Sequence, residues 1–235
     1  MIDKRIGGAT QEEAADAALA SVESGMTVMV GGFGVPGQPV ELLEALHRNG
    51  ADDLTIIANN AGTGDEGLAA LIADGRVRKI ICSFPRQRTA WHFIEKYRAG
   101  EIELEIVPQG TLAERVRAGG AGIGAFYVRT GYGTMLAEGK ETAIIGGQGH
   151  VLEYALTADV SLTRAHRGDR WGNIAYRGSG INFAPAMSAA SEVAIVQVEE
   201  IVELGEIDPG RVDTPGIHID RVVHVPQPKY VDKEV

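Results

Sequence analysis

Residues 32–37 read Gly-Phe-Gly-Val-Pro-Gly and directly follow a short apolar run, TVMV, at 27–30. Glycines at that spacing after a strand let a backbone approach a phosphate, and such a loop can hold a pyrophosphate at a helix N-terminus. Three features speak against a dinucleotide. A whole helical pattern precedes the strand, and Pro36 removes one backbone donor from the loop. The next strand ends in Asn59-Asn60, where a ribose-binding Asp or Glu would be needed. A plainer alternative is that the glycines only make a tight strand-to-helix turn. Candidate nucleophiles are few. Cys82 follows Ile80-Ile81 and reads as a small buried residue, not a reactive thiol. The six histidines (His47, His92, His150, His166, His218, His224) show no metal-ligand spacing with cysteine or acids, so no metal site is expected. Glu114 and Glu66 are the best-placed carboxylates. Thr111 with Glu114 has capping-box spacing, and Glu66 suits a first helical turn, so both read as structural.

The elements that must position these residues alternate in type. Thr10 with Glu13 has capping-box spacing, and Ala15, Ala18, Leu19 and Val22 follow one helical face up to Gly25. After the strand at 27–30, Pro39 suits a first helical position, with Val40, Leu43 and Leu46 along the helix and Gly50 closing it. Strands are predicted at 54–58, 77–84 and 102–107. Between them lie helical faces carrying Leu68, Leu71 and Ile72, then Ala90, Phe93, Ile94 and Tyr97. This order with short connections predicts an α/β fold, a mostly parallel sheet covered by helices. The strand interiors are apolar, as burial on both faces requires. Gln109 stands at the carboxyl end of the fourth strand, before a helix, where open α/β sheets bind ligands. From 119 to 149 the chain is glycine-dense, and 142–156 predicts a glycine-rich hairpin. Residues 192–202 and 214–225 read as extended. No linker or repeat divides the chain, so one domain over 1–235 is expected.

Composition narrows the function classes. Glycine supplies 31 of 235 residues against roughly 7% in average proteins, and without a repeat that surplus implies many tight turns. The net charge of −10 argues against nucleic acid and anionic membranes as partners. A single cysteine excludes an internal disulfide framework and fits a reducing compartment. No signal-type apolar core opens the sequence and no stretch reaches the length of a membrane span. A cytoplasmic protein is expected.

The segment GMTVMVGGFGVPGQP at 25–39 resembles the N-terminal signature of class I coenzyme A-transferases. NNAG at 59–62, VPQGTLAERVRAGGAGIGAFY at 107–127, TGYGT at 130–134, GDRWGNIAYR at 168–177, NF at 182–183 and VEEIVELGEIDPGRVDTPGI at 198–217 resemble the first (α) subunit of that family, in order. Two positions depart: Ser24 replaces the usual Asp or Asn, and Ile181 stands where these subunits often carry Arg. CSFPRQ at 82–87 and LAEGKET at 136–142 resemble the 3-oxoadipate branch rather than the acetoacetate-preferring one.

The resemblance implies the CoA-transferase α/β fold and an exchange of coenzyme A between carboxylic acids, here from succinyl-CoA to 3-oxoadipate. Acyl-CoA is then a substrate, and neither a metal nor a permanently bound cofactor is needed. The family's nucleophile is a glutamate in a Glu-Asn-Gly motif of the second (β) subunit, attacking the thioester to give a mixed anhydride and then a glutamyl thioester. This sequence contains no Glu-Asn pair. A β-subunit partner in an α2β2 hetero-oligomer is therefore implied. The resemblance also implies that Gln109 is an oxyanion-stabilising donor, the alternative being a glutamine that satisfies loop backbone. It assigns residues 31–37 (Gly31, Gly32, Phe33, Gly34, Val35, Pro36 and Gly37) to coenzyme A. Arg86 could pair with the distal carboxylate of 3-oxoadipate, although spacing does not decide between Arg86 and Arg88, and a solvated role is the alternative. Other functions left open are half of an acetoacetate or short-chain acyl transferase and a non-catalytic paralogue.

Overall fold

The computed structural model describes residues 2–86 and 88–230, so Gln87 of the 82–87 segment lies outside the described residues. The first half alternates as expected: α1 (Gln11–Leu19), β1 (Thr27–Val30), α2 (Val40–Asn49), β2 (Leu54–Asn60), α3 (Leu68–Ala73), β3 (Val77–Phe84), α4 (Trp91–Arg98), β4 (Glu103–Ile106) and α5 (Gln109–Gly120). The second half holds β5 (Ala125–Val128), β6 (Thr142–Ile145), β7 (Gln148–Tyr154), β8 (Ala158–Asp169), β9 (Ile174–Ala175), α6 (Ala184–Ala189), β10 (Ser191–Val202) and β11 (Arg221–His224).

Seven strands form a parallel sheet in the order β11-β10-β8-β1-β2-β3-β4, and β9 pairs antiparallel with β8. The two-residue period of a strand decides which helix each side chain meets. Val28, Val30, Ile56, Ala58, Ile80 and Cys82 join the core under α1 to α4. Their neighbours Met29, Ile57 and Ile81 point the other way, into a core closed by Leu112 and Val116 of α5 and Met187 of α6. Each fully buried aliphatic side chain contributes roughly 1.5–3 kcal/mol. Both faces are thus covered, as the uninterrupted apolar strands require.

The N-terminus of α1 is held as its spacing predicts: the Glu13 N–H donates to Thr10 Oγ1 at 3.1 Å, and the Ala9 N–H donates to Glu13 Oε2 at 2.8 Å. Helix α2 solves the same problem from a distance. Pro39 is its cap and not its first residue, so the helix starts one residue later than expected, and Pro39 offers no side-chain acceptor. Gln197 of β10 accepts from the Leu42 N–H at 3.3 Å and donates to buried Glu41 at 2.6 Å. The predicted glycine-rich hairpin is β6 and β7 around Gly146-Gly147, and it extends with β5 into a three-stranded antiparallel sheet.

Three expectations are corrected. Helix α5 begins at Gln109, so Thr111 and Glu114 lie inside it and form no capping box; Glu114 pairs with Arg117 instead. Glu66 precedes α3, whose cap is Gly67. Only Arg221–His224 of the 214–225 segment is a strand, because residues 216–218 turn as a short 3-10 helix. Among the described residues no helix is long and apolar enough to cross a membrane.

Candidate active site

The carboxyl ends of β1, β2 and β3 and the start of α5 open onto one cleft of about 460 Å3. Phe33 and Gly34 come from the loop after β1, Asn59 and Asn60 end β2, Ser83 and Phe84 end β3, and Gln109 opens α5. The parallel register delivers them together, since Asn60 faces Phe84 across β2 and β3. None of these seven residues is an acid, a histidine or a cysteine.

Gln109 is the first residue of α5, two residues beyond Val107, whose N–H still pairs with Cys82 of β3. It is exposed, and its Nε2 donates to Asn59 Oδ1 at 3.1 Å. Asn59 is 4% exposed, and the same Oδ1 accepts from Ser83 Oγ at 2.8 Å. That buried acceptor, shared by two donors, sets the orientation of the Gln109 amide. A primary amide has two hydrogens, so one remains for an acceptor in the cleft. The first backbone amides of a helix also lack intrahelical partners and carry its positive end. The arrangement offers hydrogen-bond donors without a carboxylate, and the one hydroxyl, Ser83 Oγ, is spent donating to Asn59.

Ion pairs fix the helix that carries Gln109. Glu105 of β4 accepts from Lys79 of β3 and Arg115 of α5, each at 2.8 Å. Arg115 is buried and also donates to the Tyr154 carbonyl at 2.7 Å. Burial alone would raise the Glu105 carboxyl, but the bonds from Lys79 and Arg115 outweigh it and hold the group below its ordinary value. Cys82 lies beneath the cleft, and burial pushes its thiol up to about 12, so it stays protonated and inert.

The glycine loop is anchored on both sides. Gly31 N–H donates to the Leu162 carbonyl at 2.9 Å, and Phe33 N–H to Pro36 at 3.0 Å. Asn182 Oδ1 accepts from Gly32 N–H at 3.1 Å, while its Nδ2 donates to Gly180 at 2.9 Å. Gly37 packs so close that a Cβ there would lie 2.3 Å from Asn182 Nδ2, and its φ of +78° also favours glycine. The backbone donors of Gly31, Gly32 and Phe33 are thus spent within the protein, as a tight strand-to-helix turn requires. Ile181 sits next to this anchor and is partly exposed.

Arg86 does not line this cleft. It borders an adjoining apolar groove of about 500 Å3 that shares Ser83 and Phe84 with it. Arg86 is exposed and has no hydrogen bond or ion pair among the described residues. Arg88 is exposed and lines neither cavity. Asn59, Ser83 and Asn182 gave no chemical signal in the sequence beyond their place in resembling segments, because their roles depend on strand ends meeting across the sheet.

Comparison with known proteins agrees with this architecture. Residues 12–225 match the coenzyme A transferase family. The chain is 57% identical over 213 residues to the A-type subunit of the 3-oxoadipate CoA-transferase of Pseudomonas putida, covering 91% of this chain and 92% of that protein. It is 51% identical over 220 residues to the A-type subunit of the succinyl-CoA:3-ketoacid coenzyme A transferase of Xanthomonas campestris pv. campestris, covering 93% and 90%. An acyl-CoA transferase apoenzyme from Escherichia coli O157:H7 superposes with a TM-score of 0.81 at 20% identity, over 90% of this chain and 46% of that one, so the chain spans under half of it. A sheet of this topology, a match over nearly the whole sequence and identities above one half together place the chain in the coenzyme A transferase family.

Proposed function

We propose that this chain is the donor-bearing half of a two-chain enzyme that moves coenzyme A from succinyl-CoA to 3-oxoadipate. One observation carries the reading: Gln109, its amide held by buried Asn59, lines a cleft to which this chain contributes no carboxylate. A second chain, the β partner, supplies the glutamate of its Glu-Asn-Gly motif, and two copies of each make an α2β2 assembly. Both relatives are themselves single subunits of their transferases, which supports the division of labour. So does the half-length match to the Escherichia coli transferase.

The chemistry follows from that division. The partner's glutamate attacks the thioester carbonyl of succinyl-CoA, and negative charge builds on the carbonyl oxygen. Gln109 meets that charge, as a single preorganised donor worth roughly 2.7–4 kcal/mol in the transition state. Departure of the CoA thiolate leaves a mixed anhydride. The thiolate returns to the glutamyl carbonyl and releases succinate, and 3-oxoadipate then repeats the sequence in reverse. Both intermediates hydrolyse if water enters. Phe33 and Phe84, 49% and 56% exposed on this chain, are the apolar walls that a second chain would close over the cleft. The glycine loop at 31–37 lies against the thioester arm of coenzyme A. For the acceptor, the 57% identity to a 3-oxoadipate relative supports 3-oxoadipate, as does Arg86 beside the cleft.

The direct test is an assay of succinyl-CoA consumption with 3-oxoadipate as acceptor. The purified chain alone is expected to be inactive, and addition of a partner chain carrying Glu-Asn-Gly is expected to restore turnover. Robust transfer by this chain alone would overturn the half-enzyme reading.

A further inference from the structure

Besides glycine, only Asp53 and Asn182 among the described residues have a positive φ. Asp53 sits in the turn that enters β2, at the amino end of the sheet and away from the cleft. Asn182 sits beside the glycine loop, at φ +24° and ψ −117°, a conformation that any side chain makes costly. Such a residue persists only where its surroundings fix it, and the fixing is visible here. Asn182 Oδ1 accepts from the Gly32 N–H at 3.1 Å and from the Phe183 N–H at 2.7 Å. Its Nδ2 donates to the carbonyls of Gly180 at 2.9 Å, Ser179 at 3.3 Å and Pro36 at 3.3 Å. One amide thus bridges the two ends of the stretch 32–36 and fastens both to the turn at 178–181. Phe183, its neighbour, is 8% exposed and packs in the same core as Leu112 and Val116 of α5. The clamp therefore ties the loop to the helix that opens with Gln109.

What the clamp places is Phe33. This side chain lines the Gln109 cleft, yet it stands between Gly32 and Gly34, both at positive φ. Two glycine neighbours give it little local restraint. Other bonds of the loop close it on itself: the Phe33 N–H donates to Pro36, and Gln38 Nε2 donates to Gly34 at 2.6 Å. Gly32 and Pro36, which bracket Phe33, are the two loop residues that Asn182 holds.

We propose that Asn182 is a positioning residue, which sets the glycine loop so that Phe33 shields the acyl intermediates from water. The assignment rests on the transferase reading and adds what keeps transfer from becoming hydrolysis. In that leak, succinate has left and the partner's glutamate carries coenzyme A. The oxygen of water bonds to the glutamyl carbonyl carbon, and the carbon–sulfur bond breaks. One proton of the water goes to the sulfur and the other to solvent, which restores the glutamate carboxylate. The net change is succinyl-CoA and water to succinate and free coenzyme A.

The test measures two rates in the two-chain enzyme: release of free thiol from succinyl-CoA without an acceptor, and transfer to 3-oxoadipate. Asn182→Gly relieves the backbone and removes every clamp bond. Asn182→Asp keeps the acceptor but turns a carboxylate towards the carbonyls of Pro36, Ser179 and Gly180. Each variant is expected to release thiol faster and to raise the ratio of hydrolysis to transfer roughly tenfold. A ratio at the wild-type value in either variant, or two rates that fall together as in a merely destabilised protein, would overturn the proposal. Hydrogen exchange on this chain supplies a readout besides activity. Peptides covering residues 32–38 are expected to exchange faster in Asn182→Gly, with those of β8 unchanged. Unaltered exchange at 32–38 would also overturn it. No transfer by the wild-type enzyme would count against the transferase reading, and exchange would still decide whether Asn182 sets the loop.

Discussion

Gln109 is held by one short chain of side chains, Ser83 to Asn59 to Gln109, whose central acceptor is buried. A donor preorganised in this way matters most when charge appears on the substrate oxygen, not when substrate binds. In the two-chain enzyme Gln109→Ala is therefore expected to lower kcat about 10²–10³-fold with a smaller change in KM. Steady-state kinetics check this, and a variant with unchanged kcat would leave Gln109 no more than a structural residue at the start of its helix. On the proposed reading, Arg86 bears on substrate choice. It stands in the groove that adjoins the cleft through Ser83 and Phe84, without a partner of its own among the described residues. 3-Oxoadipate has a distal carboxylate that acetoacetate lacks. Arg86→Ala is expected to cost roughly tenfold in kcat/KM with 3-oxoadipate and little with acetoacetate. Equal loss with both acceptors would move the arginine to succinyl-CoA or to structure.

At the scale of elements, the Glu105 triad joins β3, β4 and α5 and so sets where Gln109 stands. Its carboxyl titrates lower in the folded state than in the unfolded chain, where glutamate lies near about 4.3. The contribution is thus fully present above that value and is lost as pH falls through the lower folded value. Thermal denaturation across acid pH should show a loss of stability below about 4.3, and Glu105→Gln should flatten that loss while lowering the melting temperature at neutral pH. An identical pH profile in the variant would remove the triad from the account. The strands β1 and β3 were legible to the residue, because TVMV and VRKIICSF are apolar runs bounded by turn residues. β8 was not. ADVSLTRAHRGD carries two arginines and a histidine, and only the fold shows that Glu199 and Tyr230 satisfy Arg164 there. The start of α5 differs from expectation for a related reason: Thr111 and Glu114 imitate a cap, while the helix begins two residues before Thr111, at Gln109, with Pro108 as its cap. The cleft could be located from strand ends, but the partners within it could not, since Asn59 and Ser83 meet only when β2 and β3 pair.

For the whole molecule, the sheet gathers donors at one edge and leaves the chemistry to be completed from outside. Phe33 and Phe84 at the cleft are exposed, and so are Ile144, Ile145 and Tyr154 of the small antiparallel sheet. Surfaces of this kind are expected where a second chain packs. The central claim is that the covalent intermediate forms on that second chain. Borohydride reduction of the enzyme–CoA thioester, during turnover with succinyl-CoA, converts the modified glutamate to a stable product that peptide mass spectrometry can place. The expected result is a single modified glutamate in the Glu-Asn-Gly segment of the partner, with every peptide of this chain unmodified. A modified glutamate in this chain, whether Glu114, Glu66 or another, would contradict the account.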